Sequence, residues 1–326
     1  MQSSSIARGG RAYAAHGLRV ASELRLPGLA EHRPSTEPDV ELHLESPGPV
    51  PEQPPLGDLL LRLEVNGVTR YSAAFDGISY RLRFTECCEF TIDAERRHVA
   101  CRPDPNIDPE LPGILAAGAL MAFLLTLDGA TVLHASAVQI GEGALAVVGA
   151  SGFGKSTVAA LLCISGCPLI ADDVLRIDLS NNGTVFTGAK ELRLRNAARG
   201  LADQFRQPVT IRDTADGRLA LGPPATALAK LPLSAIVIPR PRRDVACVSV
   251  RRNSGAEALS QLIAFPRMLG WRSKPVLRQQ FEGLAELVQR VPVMEASVPW
   301  GPPFAARLGA EVIDALAGHL LSEAAW

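Results

Sequence analysis

The chain has 326 residues, a length that corresponds to about two ordinary domains. Lysine and arginine (33) nearly balance aspartate and glutamate (34), which gives a net charge of −1, and aromatic residues make up only 5% of the chain. This composition disfavours a nucleic-acid-binding protein, which needs basic surfaces or aromatic platforms, and it gives no reason to expect an anionic membrane as a partner.

The cysteines indicate a protein of the cytoplasm, and the longest apolar run is too short to indicate a membrane span. None of the six cysteines forms a C-x-x-C pair, so we predict no zinc site on them and expect free thiols in a reducing compartment. The N-terminus lacks the apolar core of a signal peptide. The run Leu111–Leu127 contains proline and glycine and falls short of the roughly 20 residues that cross a bilayer. We predict a buried helix there.

Residues 1–108 are predicted to form a β-rich N-terminal domain, because apolar and polar side chains alternate as they do in half-buried strands. The strands that we predict most clearly are Val40–Leu44, Leu59–Val65, Thr69–Phe75, Ile78–Phe84 and Glu89–Ile92. Asn66-Gly67 and Asp76-Gly77 are favoured hairpin turns between them. The histidines of this region, His32, His43 and His98, are scattered, and we interpret each as a surface or hydrogen-bonded residue rather than a ligand.

A proline-rich break at residues 104–109 marks the start of a second domain, residues 109–326. We predict a strand over Thr131–Ile140, a turn at residues 141–143 and a second strand, Ala144–Val148. If the hairpin closes on that turn, the numbers of paired residues sum to 284, and His134 lies opposite Ala150. His134 would then orient a carboxylate or hold charge near bound phosphates, or it is a buried histidine that bonds to the backbone. The sequence leaves both readings open.

The segment 149–157 has the phosphate-loop pattern G-x-x-x-x-G-K-[ST], between the strand Ala144–Val148 and a predicted helix, Ser156–Cys163. Glycines let backbone amides turn inward on an anion, and a helix N-terminus favours negative charge. The lysine reaches the β- and γ-phosphates and the hydroxyl binds Mg²⁺. The candidate nucleotide-binding residues are Gly149, Ala150, Ser151, Gly152, Phe153, Gly154, Lys155, Ser156 and Thr157. The alternative is a glycine-rich turn without a ligand.

Two carboxylates, Asp172 and Asp173, end the next predicted strand, Leu169–Ala171. The two strands of a strand–helix–strand unit are parallel, and we expect them to be adjacent, so both carboxylates should lie beside Lys155 and Ser156. One carboxylate can hold Mg²⁺, and the other can accept the proton of an attacking hydroxyl. The alternative is a solvated Asp-Asp turn.

Further strands are predicted at Thr184–Thr187 and Leu231–Pro239, and the rest of the chain after them is predicted to be mainly helical. The predicted helices are Glu257–Phe265, Pro275–Arg290 and Pro303–Ser322, with an edge strand at Val293–Val298. Arg193 and Arg195 alternate along a basic segment, where they either reach phosphates or an acidic peptide or belong to a solvated strand face.

Three segments resemble the catalytic core of HPr kinase/phosphorylase: Leu133–Val138, Gly149–Thr157 and Leu169–Asp173. The match is specific over about residues 131–178. The whole chain is more similar to the HPr-kinase-like kinases of lasso peptide gene clusters, which phosphorylate a serine of a precursor peptide, typically at its C-terminal end. The resemblance implies an α/β fold with a P-loop kinase core of the HPr kinase type, a β-rich N-terminal domain and a helical C-terminal region.

The resemblance also implies roles for single residues. His134 would be an active-site histidine, Lys155 the phosphate-binding lysine and Asp173 the general base. Ser156 would be a magnesium ligand, and Asp172 would support the base. Glu191 is the nearest candidate for the glutamate that binds magnesium in the family. No residue matches the family's C-terminal catalytic arginine, which leaves open the reverse, phosphorolytic activity.

These observations favour an enzyme that uses ATP and Mg²⁺ to phosphorylate a serine of a peptide or small protein. We expect a monomer or a small homo-oligomer. An ATP-binding sensor without a phosphoacceptor and a small-molecule kinase are the alternatives. The presence of both carboxylates favours a kinase, because a sensor does not need a base.

Overall fold

The computed structural model describes residues 10–33, 37–181 and 183–321, with side chains up to residue 318. The chain has a mixed α/β fold that divides into two compact units. The N-terminal unit contains the described residues up to Gly129 together with Met268–Gln279, and the C-terminal unit contains the described residues of 130–267 and 280–326. The sequence prediction placed a domain boundary after residue 108. By packing, residues 109–129 belong with the N-terminal strands.

The N-terminal unit is built on a nine-stranded sheet. Its strands are β1 (Arg11–Ala15), β2 (Leu18–Ser22), β3 (Ala30–His32), β4 (Val40–Leu44), β5 (Asp58–Val65), β6 (Val68–Phe75), β7 (Ser79–Phe84), β8 (Cys88–Asp93) and β9 (His98–Pro103). Their order across the sheet is β3-β1-β2-β4-β9-β8-β7-β6-β5, and β4 runs parallel to both its neighbours. The five strands predicted above are all present, each displaced by at most one residue at either end.

Local turn chemistry explains why the prediction succeeded here. Asn66 and Gly67 have φ of 54° and 77° between the paired residues Val65 and Val68, as expected for a two-residue hairpin turn. At the second predicted turn the loop is one residue longer, because β7 begins at Ser79.

The apolar run of the N-terminal unit is helical and buried, as predicted. It forms α1 (Leu111–Leu115), a π-helical turn (Ala116–Leu120) and α2 (Met121–Leu127). Phe123 is fully buried and stacks on Trp271, with ring centroids 5.6 Å apart and planes 5° apart. Among the described helices, none is both long enough and apolar enough to cross a membrane.

The C-terminal unit contains the remaining strands and most of the helices. The strands are β10 (Thr131–Leu133), β11 (Ala135–Ile140), β12 (Gly143–Val148), β13 (Leu169–Ala171), β14 (Leu175–Asp178), β15 (Thr184–Phe186), β16 (Leu192–Leu194), β17 (Thr210–Asp213), β18 (Leu219–Gly222), β19 (Lys230–Arg242), β20 (Ser249–Arg252) and β21 (Val293–Pro299). The helices are α3 (Lys155–Ile164), α4 (Gly255–Ile263), α5 (Lys274–Arg290, of which Gln280–Arg290 belong to this unit) and α6 (Leu308–Leu321), with 3₁₀ helices at Leu179–Asn181 and Asn196–Gln204.

The main sheet of this unit has the order β10-β14-β15-β19-β12-β11-β13, and β16, β18 and β17 form a small separate sheet. Side chains of β12 alternate between two cores. Leu145 and Val147 pack in a cluster with the apolar residues of α3 and α6, and Ala146 and Val148 pack with residues of α4 and α5. The sheet is therefore covered on both faces, as expected for a buried strand such as β12.

Two predictions about the centre of this sheet were wrong. The strands β12 and β13 have the same direction but are not adjacent, because β11 lies between them and is antiparallel to both. The hairpin register is shifted by one residue, since Ala135 pairs with Val148 and their numbers sum to 283 instead of 284. His134 does not lie opposite Ala150, because the predicted strand is interrupted at His134, between β10 and β11.

The helices and the strand predicted for the C-terminal region are present with shifted ends. The strand β21 is not at an edge of the sheet, because it lies between β19 and β20. The prediction missed β20, a strand of only four residues, two of them arginine, which gives little signal of its own.

Candidate active site

The phosphate-loop segment connects β12 to α3 in a conformation that only glycine adopts easily at two positions. Gly152 and Gly154 have φ of 88° and 86°. Gly154 is the N-cap of α3, and no side chain caps this end of the helix. The amides of the first turn are therefore left for a ligand, at the end of the helix where the backbone dipole favours an anion.

Trp300 packs against this loop. A Cβ atom added to Gly154 would lie 2.3 Å from the indole ring of Trp300, so that any larger residue at this position would collide with the ring. Trp300 also contacts Phe304 edge to face, with ring centroids 5.1 Å apart, and both aromatic residues line the cleft in front of the loop. Sequence reasoning missed both residues, which lie far from the motif along the chain.

Lys155 is the first residue of α3 and is buried, with 6% of its surface exposed. Its Nζ donates a hydrogen bond to the carbonyl oxygen of Ala150, 3.1 Å away. Burial lowers the pKa of Lys155 to about 8, even though the nearby carboxylates Asp172 and Asp173 act to raise it. The ammonium group is thus held inside the loop, and the nearby carboxylates do not fully offset the cost of burying its charge.

Asp172 is buried, and hydrogen-bond donors surround its carboxylate. Its carboxylate accepts hydrogen bonds from the Ser136 hydroxyl (2.5 Å), the Ser156 hydroxyl (3.0 Å) and the backbone amide of Arg193 (3.0 Å). Ser136 comes from β11, the strand that separates β12 from β13. The strand β11, whose position between β12 and β13 was not predicted, therefore supplies a side chain that fixes this carboxylate beside the hydroxyl of the phosphate loop.

Asp173 has different surroundings, although it is the next residue. Its φ of 74° is unusual for a residue other than glycine, and this strained backbone turns its side chain toward different partners from those of Asp172. One carboxylate oxygen lies 3.2 Å from Nδ1 of His134, and the other accepts a hydrogen bond of 2.7 Å from Arg267. The backbone carbonyl of Asp173 also lies 3.1 Å from Nδ1 of His134. Because both neighbours of Nδ1 are acceptors, this nitrogen carries the proton.

The charge of Asp173 is strongly stabilised. Burial opposes ionisation of its carboxyl group, but Arg267 and His134 outweigh that effect and hold its pKa well below the usual range. At neutral pH the carboxylate is therefore ionised and accepts protons weakly. Arg267 lies 94 residues away in the chain, and no local motif identifies it.

A basic group of side chains lines the cleft beyond the two carboxylates: Arg193, Arg195 and Arg218. Arg193 and Arg218 both pair with Asp216, with a distance of 3.4 Å for the Arg218 pair. The guanidinium of Arg195 lies close to Gly152, within 3.0 Å of the position that a Cβ atom would occupy. The sequence left two interpretations open for Arg193 and Arg195: they reach phosphates or an acidic peptide, or they belong to a solvated strand face. Their position in the cleft agrees with the first interpretation.

The structure brings most of the predicted site residues into one cleft. Its lining includes His134, Ser151, Gly152, Gly154, Lys155, Ser156, Thr157, Asp172 and Asp173. Gly149, Ala150 and Phe153 belong to the same loop without lining the cleft, and the Phe153 ring is exposed. Glu191 is outside this group, and its carboxylate accepts a hydrogen bond of 2.9 Å from Arg212.

The residues present fit an anionic ligand and a magnesium ion. Besides the uncapped helix and Lys155, Arg193 in the cleft lining has an Nε atom that is buried without a hydrogen-bond partner among the described residues. Unsatisfied donors of this kind indicate a missing acceptor. Ser156 and Asp172 offer adjacent oxygen atoms, which are the ligands that Mg²⁺ prefers.

No family model matches the sequence, and no curated protein matches it. Among solved structures, the chain is similar to the Hpr(Ser) kinase/phosphatase from Coxiella burnetii, with 11% sequence identity and a TM-score of 0.31. The similarity covers 59% of this chain and 97% of that chain.

Proposed function

We propose that this chain is a kinase that transfers the γ-phosphoryl group of ATP to a serine of a peptide or small protein. The observation that carries the proposal is the pairing of an uncapped phosphate loop with two adjacent carboxylates in different surroundings. Asp172 bonds to the loop hydroxyl of Ser156, whereas Asp173 faces the cleft with His134 and Arg267. Adjacent carboxylates with separate environments are suited to separate roles.

Asp172 and Ser156 are the residues that would hold Mg²⁺, and the ion would supply positive charge to the phosphates. Glu191 remains a proposed ligand, but it would first have to leave Arg212. Lys155 and the amides of the loop stabilise the negative charge on the transferred group. This electrostatic stabilisation is the main contribution that a protein makes to phosphoryl transfer.

Asp173 accepts the proton of the acceptor hydroxyl. The serine oxygen forms a bond to the γ-phosphorus, the bond between that phosphorus and the bridging oxygen of ADP breaks, and the proton passes to Asp173. A weakly basic carboxylate can fill this role, because in phosphoryl transfer this residue orients the attacking hydroxyl as well as accepting its proton. His134 and Arg267 hold the carboxylate in its ionised form and in a fixed orientation.

The basic lining of the cleft supports an acceptor that carries negative charge close to the serine. Arg195 is placed to meet such a charge, whereas Arg193 and Arg218 would first have to leave Asp216. A serine at the C-terminal end of a peptide has a carboxylate in this position. This agrees with a lasso-type precursor peptide phosphorylated near its C-terminus, as the sequence resemblance implies. We also propose that the protein works in the cytoplasm as a monomer or small homo-oligomer.

The test is transfer of ³²P from labelled ATP to synthetic peptides that end in serine, offered with a free carboxylate and with an amidated C-terminus. We expect labelling of the carboxylate peptide, weaker labelling of the amide, and none with Lys155→Ala. ATP binding without transfer to any acceptor would favour the sensor. Turnover on small metabolites in the absence of peptide would favour a small-molecule kinase.

A further inference from the structure

We propose that the N-terminal sheet carries a binding site for a divalent transition metal, with Zn²⁺ as the ion that its ligands fit. The ligands are Glu41, His43 and His98. His43 and His98 are far apart in the sequence, and the sequence alone therefore favours surface or hydrogen-bonded residues rather than ligands. The fold brings them to the same face of the sheet.

Strand geometry explains the convergence. Glu41 and His43 are two residues apart on β4 and therefore point to the same face. The neighbouring strand β9 runs parallel to β4, and His98 at its start is the register partner of Glu41. Three side chains that can bind a metal ion thus lie close together on one face of the sheet.

The distances are close to those of a metal site. Oε2 of Glu41 lies 3.6 Å from Nε2 of His43 and 3.7 Å from Nδ1 of His98. The three atoms all lie within 4.8 Å of one another. Around a tetrahedral Zn²⁺ with bonds of 2.0–2.2 Å, ligand atoms are about 3.3–3.6 Å apart. Small side-chain rotations therefore bring all three onto one ion.

A fourth residue supports this assignment independently. The other ring nitrogen of His43, Nδ1, faces Oε1 of Glu23 at 3.7 Å. Glu23 is itself held in place, because its second oxygen accepts a hydrogen bond of 2.8 Å from the backbone amide of Leu44. A carboxylate behind a metal-binding histidine is the usual partner of such a ligand, since it orients the ring and makes the ligand nitrogen more basic.

The ligand set determines which ions can bind. Two imidazoles and one carboxylate suit Zn²⁺, Co²⁺, Ni²⁺ or Cu²⁺, whereas Mg²⁺ and Ca²⁺ prefer oxygen ligands alone. The side chain of His98 is 62% exposed and that of His43 45% exposed, so solvent reaches the site. Three protein ligands leave one position of a tetrahedral ion for water or another exchangeable ligand.

The experiment uses the full-length protein without an affinity tag, after treatment with a chelator. Co²⁺ is added and the visible absorption of the bound ion is recorded, followed by titration with Zn²⁺. We expect one equivalent of Co²⁺ to give the intense bands of a tetrahedral site, and Zn²⁺ to remove them. Absence of these bands, together with no bound Zn²⁺ by elemental analysis, would overturn the proposal.

Variants separate this site from other metal-binding groups. His43→Ala and His98→Ala should each abolish the bands, while Glu23→Gln should weaken the affinity about 10–100-fold. His32→Ala is the matched control, because His32 lies on the same sheet and its Nδ1 pairs with the backbone oxygen of Arg33. Unchanged Co²⁺ binding by both His43→Ala and His98→Ala, with metal-free thermal stability equal to that of the wild type, would refute the assignment.

Discussion

Lys155 is an ammonium ion in a place where the folded protein disfavours the charge. Its pKa falls from 10.5 to about 8 because of burial, and a pKa that is lower in the folded than in the unfolded chain means that the charged lysine destabilises the fold. The cost is fully present below pH 8, where both states bind the proton. It decreases between pH 8 and 10.5, where only the unfolded chain still binds it.

We therefore predict that Lys155→Met stabilises the ligand-free protein while removing its activity. The free energy of unfolding at pH 7 should rise by about 1–3 kcal/mol, and the gain should vanish as the pH approaches 10.5. Urea unfolding at several pH values measures this effect, and isothermal titration with Mg-ATP should show the loss of binding. A gain of stability that does not change with pH would mean that the lysine charge is not its cause.

Asp173 and Asp172 offer a direct comparison between two neighbouring carboxylates. Asp173→Asn should still bind Mg-ATP, because Lys155, Ser156 and the loop amides remain, but transfer to the acceptor serine should fall by about 10²–10⁴-fold. Asp172→Asn should instead alter the dependence on Mg²⁺. The measurements are single-turnover transfer rates and Mg²⁺ titrations. An inactive Asp172→Asn and an active Asp173→Asn would reverse the two roles.

His134 contacts Asp173, the proposed base, with Nδ1 beside both the carboxylate and the carbonyl oxygen of that residue. His134→Ala should therefore lower the transfer rate more than it raises the dissociation constant for ATP. Both constants come from the same titrated transfer assay, with thermal stability recorded in parallel. If stability collapses while the remaining folded protein transfers phosphate at the normal rate, His134 is a core residue and not a positioning residue.

At the scale of elements, the sequence predicts those parts of the site whose signals are local. The phosphate loop, α3 and the short strand before the carboxylates lie within a few residues of one another, and glycine, lysine and hydroxyl spacing defines them. The sequence does not reveal that β11 lies between β12 and β13. The strand β13 can pair with β12 or with β11, and both pairings bury the same apolar residues. Trp300 reaches the loop and Arg267 reaches Asp173 from segments that are distant along the chain, and neither residue lies in a local motif that could identify it.

The contact between Trp300 and Gly154 gives a prediction at this scale. Gly154→Ala should greatly weaken ATP binding, because a Cβ atom would lie 2.3 Å from the indole and the backbone has a φ of 86°. Gly141→Ala is the matched control, since Gly141 also has a positive φ of 56° but nothing lies within 4 Å of its Cβ position. Its cost should be limited to about 1–2 kcal/mol of backbone strain.

Fluorescence titration with a labelled ATP analogue measures the binding of both glycine variants. Adding Trp300→Ala to Gly154→Ala should restore part of the binding, because this change removes the collision and leaves only the strain. No recovery in the double variant would show that Trp300 does not set the shape of the loop.

At the scale of the whole molecule, the division of the chain into two compact units predicts how N-terminal fragments of it should fold. In the N-terminal unit, Phe123 of α2 lies edge to face with Tyr80 of the sheet, with ring centroids 6.4 Å apart, and stacks on Trp271. A fragment of residues 1–108 lacks both Phe123 and Trp271. We expect it to aggregate and to unfold without cooperativity, and a fragment of residues 1–129 to be more soluble. Circular dichroism and light scattering compare them, and equal behaviour would support the boundary after residue 108.

Because Met268–Gln279 belongs to the N-terminal unit, that unit is completed late during protein synthesis. Ribosomes add about 5–20 residues per second, so the 150 residues from 130 to 279 take roughly 8–30 s to produce. During this time the sheet and Phe123 already exist, but Trp271 does not. A nascent chain in this state exposes an aromatic surface that a chaperone can bind, and slowing translation prolongs the exposure. The yield of folded protein should therefore depend on the supply of chaperones more strongly than the stability of the finished fold would suggest.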